Sequence, residues 1–107
     1  MGTERLWKLG DVLAKTDTIP WSFALYTPRG EQWNLQTTAA VLDPDDVTDD
    51  EEEPRFARDK GLTYALGIQD VQGVVKNARA QKPDIDLEGL LRALRYYYDH
   101  DAFLQLG

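Results

Sequence analysis

The chain has 107 residues, with 12 Lys and Arg against 19 Asp and Glu, and its formal net charge is −7. This length predicts one domain spanning residues 1–107, because a second hydrophobic core would be hard to build. It has no cysteine, which excludes a disulfide scaffold, a thiol nucleophile and Cys-based metal sites. It shows neither an apolar run of the roughly 20 residues that cross a bilayer nor the basic-then-apolar order of a signal peptide, so we expect a soluble, cytoplasmic protein with no membrane partner.

The first half of the chain predicts a short helix followed by strands. Apolar residues at helical spacing favour a helix over residues 9–15. The aromatic-rich segment 21–26 is typical of a strand, and the Pro and Gly of residues 27–30 predict a turn. Residues 32–35 then return as a second strand, so the two strands form a hairpin. Residues 37–42 are the third strand candidate.

The second half of the chain is mainly helical by its pattern. Residues 54–60 predict a short helix that ends at Gly61, and residues 62–66 predict a further strand. Apolar stripes then mark two longer helices over residues 69–81 and 87–98. This order is typical of an α+β fold, in which a small antiparallel sheet of three or four strands packs against helices and the two longest helices are C-terminal.

The acidity of the chain is concentrated in residues 43–53, which we call the acidic segment. It holds eight carboxylates and no base, so the rest of the chain is close to neutral. Such a run repels itself and lacks apolar periodicity, which predicts a solvated loop. It is either a solubilising insertion without a partner or an electrostatic docking element for a basic surface. The eight residues are Asp43, Asp45, Asp46, Asp49, Asp50, Glu51, Glu52 and Glu53.

Groups that carry chemistry are few. His100 is the only histidine and Ser22 the only serine, and no Gly-x-Ser-x-Gly turn surrounds Ser22. One histidine without cysteine leaves little for a zinc or redox-metal site. The acidic segment departs from a calcium-binding EF-hand loop, which needs Gly where Thr48 stands and Glu where Pro54 stands. We therefore expect no catalytic residue, no metal and no cofactor; an enzyme centred on His100 is the third alternative.

Three consecutive tyrosines, residues 96–98, lie close in sequence to Arg92 and Arg95. Aromatic rings beside arginines can stack on bases, but the field of a chain with this net charge opposes nucleic acid, and we expect no nucleic-acid partner. The apolar stripe of the last helix places the second and third tyrosines in the core or lining a groove, and Tyr96 outside it.

Several segments resemble those of one protein family. They are residues 24–26 followed by Trp33, residues 40–43 entering the acidic segment, and residues 70–78 and 94–103. Together they resemble small acidic bacterial proteins, some of them encoded beside polymorphic or contact-dependent inhibition toxins. The resemblance implies an immunity protein: small, cytoplasmic and non-enzymatic, it would bind one cognate toxin domain, commonly a nuclease, and block its active site.

Our hypothesis is that the chain neutralises a basic toxin domain by occluding its active site. The eight acids would steer the encounter and contact cationic toxin residues, and Trp7, Trp33 and Tyr96, where exposed, would supply desolvated contact area. The main alternative is a non-enzymatic adaptor or regulatory protein that binds through the helical face of residues 69–98, with the acidic segment as a bystander.

Overall fold

The structure is a computed structural model that describes residues 5–30, 32–45 and 54–106. In chain order its elements are β1 (Leu6–Lys8), α1 (Leu9–Ala14), a short 3-10 helix (Thr16–Thr18), β2 (Ala24–Pro28), β3 (Thr38–Leu42), α2 (Arg55–Asp59), β4 (Leu62–Gly67), α3 (Ile68–Gln81) and α4 (Leu87–His100). The strands form one antiparallel sheet in the order β1-β3-β2-β4, so the predicted α+β fold with two long C-terminal helices is confirmed.

The sheet has a core on each face, because successive side chains of a strand point to opposite sides. Leu25 and Val41 are paired across β2 and β3 and belong to the larger core, which they form with the buried faces of α1, α3 and α4. Tyr26 and Ala40, the next pair, belong to a smaller core that includes Ala57 of α2.

The C-terminal helices form where the sequence places them. The side chain of Asp86 accepts a hydrogen bond from the Gly89 amide at 2.8 Å and so caps the first turn of α4. Pro83 follows α3 by two residues and cannot continue it. Along α4, Leu90 and Leu94 are fully buried in the larger core, which is the apolar stripe that the sequence predicts.

The predicted hairpin is wrong. Residues 32–35 form no strand, and β2 pairs with β3 and β4 instead. The connection before β3 turns back onto α1, where the Leu9 amide donates to the Thr37 carbonyl at 2.9 Å and the Gly10 amide to the Leu35 carbonyl at 3.0 Å. The first amides of a helix have no partner within it, so this connection satisfies the start of α1. A Cβ at Gly10 would lie 3.2 Å from the Leu35 oxygen, which explains a glycine there.

Other boundaries differ by a few residues, and one element is new. Strand β2 begins at Ala24, three residues later than predicted, and α2 is confirmed with Gly61 beyond it at φ +72°. The new element is β1, the three-residue strand Leu6–Lys8 that pairs with β3 at the end of the sheet. It is shorter than any pattern that alternation can reveal.

Candidate functional site

The acidic segment enters the described structure only at its start. The Oδ1 atom of Asp43 accepts a hydrogen bond from the Asp45 amide at 3.0 Å, and the Asp45 side chain is exposed. The remaining six carboxylates lie outside the described residues: Asp46, Asp49, Asp50, Glu51, Glu52 and Glu53.

Both flanks of the acidic segment are buried, and on each side a nearby residue, Leu42 or Ala57, belongs to the smaller core. Leu42, immediately before it, is buried beside Ala24, and Pro54, immediately after it, is buried as well. Ala57 then packs α2 into the same core. The two ends of the segment are therefore fixed on one face of the sheet.

Trp33, expected as an exposed anchor, is instead part of the larger core. Its side chain is 7% exposed, and its ring centroid lies 4.7 Å from that of Tyr98. The reason is the turn onto α1, which carries residues 32–37 away from β2 and against α4. Trp33 and Asp43, the first residue of the acidic segment, lie beyond opposite ends of β3, whose first and last residues are roughly 13 Å apart.

The outer side of α4 carries aromatic and cationic side chains that are exposed or, for Arg95, half-buried. We call Arg92, Arg95, Tyr96 and Tyr98 the α4 surface. Tyr96 is 36% exposed and its ring lies 4.3 Å from that of His100. Tyr98, expected in the core or a groove, is 50% exposed and lines a notch of about 130 Å³ together with Gln32, Trp33, Arg95 and Asp99. It covers Trp33 rather than being covered itself.

Tyr97, the tyrosine between them, turns toward α3. Its hydroxyl donates a hydrogen bond to Oδ1 of Asp70 at 3.2 Å. Partial burial raises the pKa of Tyr97 above its ordinary value of 10.0, and the charge and hydrogen bond of Asp70 raise it further, with a smaller contribution from Asp101. The raised pKa extends to higher pH the range in which the protonated phenol donates this hydrogen bond from α4 to α3.

This raised pKa predicts a pH dependence of stability. The native state holds the Tyr97 proton more tightly than the unfolded chain, so the stabilisation is fully present below pH 10 and is lost as pH rises through the folded pKa. We expect the free energy of unfolding of Tyr97→Phe, measured by urea titration, to fall less steeply above pH 10 than that of wild type. Tyr96→Phe is the control; equal slopes for wild type and Tyr97→Phe would contradict the assignment.

A cleft lies beside β1 on the face of the sheet that carries the larger core. It has a volume of about 300 Å³ and is lined by Arg5, Trp7, Thr18, Ile19, Pro20, Phe23 and Val41. Trp7 is half-buried there, and the guanidinium carbon of Arg5 lies 4.0 Å from its ring centroid. Sequence reasoning named Trp7 as an anchor but missed the cleft, because its walls come from three separate parts of the chain.

The groups considered for catalysis lie apart in the chain and on different elements. Ser22 is exposed in the turn before β2, and His100 is exposed at the end of α4. No hydrogen bond joins them in the described residues, and no group of three or more His, Asp or Glu suitable for a metal ion occurs in that same part of the chain.

Comparison with known proteins places the chain in a family. Residues 6–106 match the profile of a domain of unknown function, DUF7716. The chain belongs to the DUF7716 family. Searches of curated proteins and of solved structures find no match. Within residues 5–30, 32–45 and 54–106 of this DUF7716 domain, no helix is long and apolar enough to cross a membrane.

Proposed function

We propose that this DUF7716 domain is an immunity protein: a cytoplasmic, non-enzymatic inhibitor that binds a basic toxin domain, in the first instance a nuclease, and covers its active site. The observation that carries the proposal is the placement of eight of the 19 acids in one connection of 11 residues. The buried flanks of that connection, Leu42 and Pro54, support the proposal because they fix the two points at which the segment leaves and rejoins the folded domain.

The physical basis is competition for cations. A nuclease binds phosphates with Lys and Arg side chains, and a dense run of carboxylates is attracted to the same side chains. Complementary charge of this kind mainly raises the rate of association, and it does so most strongly at low salt. A stable complex would also need a buried apolar contact.

The test begins with the gene neighbourhood, where the proposal expects a toxin domain to be encoded. That domain is co-expressed with this protein, and the association rate of the two is then measured against salt concentration. Asn and Gln replace four acids of the segment: Asp49, Asp50, Glu51 and Glu52. A matched control replaces four exposed acids elsewhere: Asp17, Asp59, Asp84 and Glu88. We expect the first variant to associate about tenfold more slowly at low salt, with a flatter salt dependence. The control variant, which has the same net charge as the first variant, should differ little from wild type.

An unchanged rate and salt slope in the first variant would remove the acidic segment from the mechanism. Loss of protection of cells against the toxin only in the first variant, with both variants folded, would support it.

A second candidate function is supported by the α4 surface. Tyr and Arg are enriched in protein interfaces and among the residues that dominate their affinity, and here two exposed tyrosines lie beside Arg92 and Arg95. The domain would then be an adaptor or regulatory protein that binds through α4. In that case neutralising the acidic segment would leave binding unchanged, whereas Arg92→Ala and Tyr96→Ala would weaken it.

A further inference from the structure

Strand β1 presents an open edge. It is the terminal strand of the sheet and pairs with β3 alone. The Leu9 amide donates to the Thr37 carbonyl, and antiparallel ladders alternate between hydrogen-bonded and non-bonded pairs. Two residues earlier, the amide and carbonyl of Trp7 therefore face Ala39, and those of Leu6 and Lys8 face outward. In the described part of the chain nothing pairs with this outer edge.

The cleft lies directly beside that edge. Its walls are Ile19 and Phe23 on one side and Trp7 with Val41 on the other, and its volume of about 300 Å³ is at the lower end of the roughly 300–1,000 Å³ usual for binding sites. That space holds one large side chain. Apart from Arg5, the described residues that line it are uncharged.

Arg5 gives the cleft its charge selectivity. One face of its guanidinium lies over Trp7, which leaves the in-plane N–H donors available. These donors have no hydrogen bond or ion pair with the described residues. A guanidinium held in place in this way is suited to bind a carboxylate in the bidentate manner. Lys8, exposed at the other end of β1, adds a second positive charge.

We propose that β1 and the cleft bind an extended acidic peptide segment of a partner protein. The segment adds to the sheet as a fifth strand along Leu6–Lys8, as in other cases of recognition by β-augmentation. One of its apolar side chains enters the cleft beside Trp7, and a carboxylate two residues away binds Arg5, because residues two apart on a strand share a face. This site takes an acidic partner, whereas the acidic segment takes a basic one. The proposal does not depend on the proposed function.

A second copy of the chain is a poorer occupant than an acidic peptide. Pairing two β1 edges would bring Arg5 and Lys8 of both copies into one small area, and like charges brought together at an interface are unfavourable. Cationic residues on an edge strand are also a common means of preventing such self-association. Pairing of β1 with an acidic strand involves no such repulsion, because Arg5 and Lys8 then face carboxylates.

The probe for the test is the peptide acetyl-Thr-Glu-Thr-Phe-Thr-Glu-Thr-amide, in which Phe and both Glu lie on one face of an extended strand. We expect its binding, followed by two-dimensional NMR, to shift the indole N–H of Trp7 and to slow hydrogen exchange at the amides of Leu6 and Lys8. The amide of Trp7, already bonded to β3, should change little. Replacing Phe of the peptide by Ala, or both of its Glu residues by Gln, should lower its binding affinity about tenfold or more.

Two pairs of protein variants separate the contacts. Leu6→Pro removes an outward amide, and proline is tolerated at the first residue of an edge strand, so the fold should persist while peptide binding is lost. Leu6→Ala, which keeps the amide, should retain binding. Arg5→Gln should weaken binding about tenfold. Arg29→Gln makes the same charge change just after the last residue of β2, away from the cleft, and should not weaken binding.

Three results would overturn the proposal. The first is the absence of exchange protection at Leu6 and Lys8 with the peptide at millimolar concentration. The second is equal binding by folded Leu6→Pro and Leu6→Ala. The third is a dimer in sedimentation that Leu6→Pro dissociates, because the edge would then belong to a second copy of the chain.

Discussion

Replacing Trp33 by alanine should lower the free energy of unfolding by about 3–5 kcal/mol, the range for removal of a buried aromatic side chain. Trp33 packs in the larger core, and its ring lies against Tyr98 of α4. Alanine would leave a cavity between α4 and the connection that satisfies the first amides of α1. An interface anchor exposed to solvent would not have this effect on the isolated protein.

Trp21→Ala is the matched control, because the Trp21 side chain is 67% exposed. Urea titration of this variant should give a free energy of unfolding within about 0.5 kcal/mol of wild type, as for most surface substitutions. Equal costs at the two positions would mean that Trp33 is not a core residue, and it would return as a candidate for partner binding.

The second large effect is expected at Gln72, which holds the 3-10 helix and the following residue against α3. Its Nε2 group donates to the carbonyls of Thr16 at 2.9 Å and Ile19 at 2.8 Å, and both of these residues are buried. In Gln72→Glu the ionised carboxylate can only accept, so the Ile19 carbonyl loses its donor and the Thr16 carbonyl keeps only the Ile19 amide, at 3.2 Å. We expect a loss of about 2–4 kcal/mol in the free energy of unfolding.

Gln69→Glu, an exposed position in the first turn of α3, is the control and should be close to wild type. The cost of Gln72→Glu should shrink as pH falls, because a protonated Glu regains a donor. A cost that is small at neutral pH would contradict the role given to these two hydrogen bonds. Since Ile19 lines the cleft, Gln72→Glu should also lower the affinity of the cleft for the acidic probe peptide, whereas Gln69→Glu should not.

The two proposed sites are close but chemically opposite. Val41 lines the cleft, and the acidic segment begins two residues later, which is at most about 7 Å of extended chain. A basic partner of the acidic segment and an acidic peptide at β1 would both bind more weakly at higher salt. Because the two sites lie within about one Debye length of each other, neutralising acids of the segment should weaken the basic partner's binding and strengthen that of the acidic peptide. The opposite signs of these effects let the two proposals fail separately.

The sequence by itself determined the helices of the second half, the fold class and the distribution of charge. The apolar stripes of α3 and α4, the cap at Asp86 and the stop at Pro83 act over a few residues, so local pattern is sufficient to read them. The concentration of acids in residues 43–53 is likewise a property of the sequence alone.

Strand pairing, the burial of Trp33 and the cleft were decided by the tertiary structure. Each depends on residues far apart in the chain: Trp7 pairs with Ala39, and Gln72 binds the backbone of Thr16. Whether the connection before β3 pairs with β2 or turns onto α1 is settled by which unsatisfied amides it meets, here those of Leu9 and Gly10. No pattern within a short window of sequence contains that information.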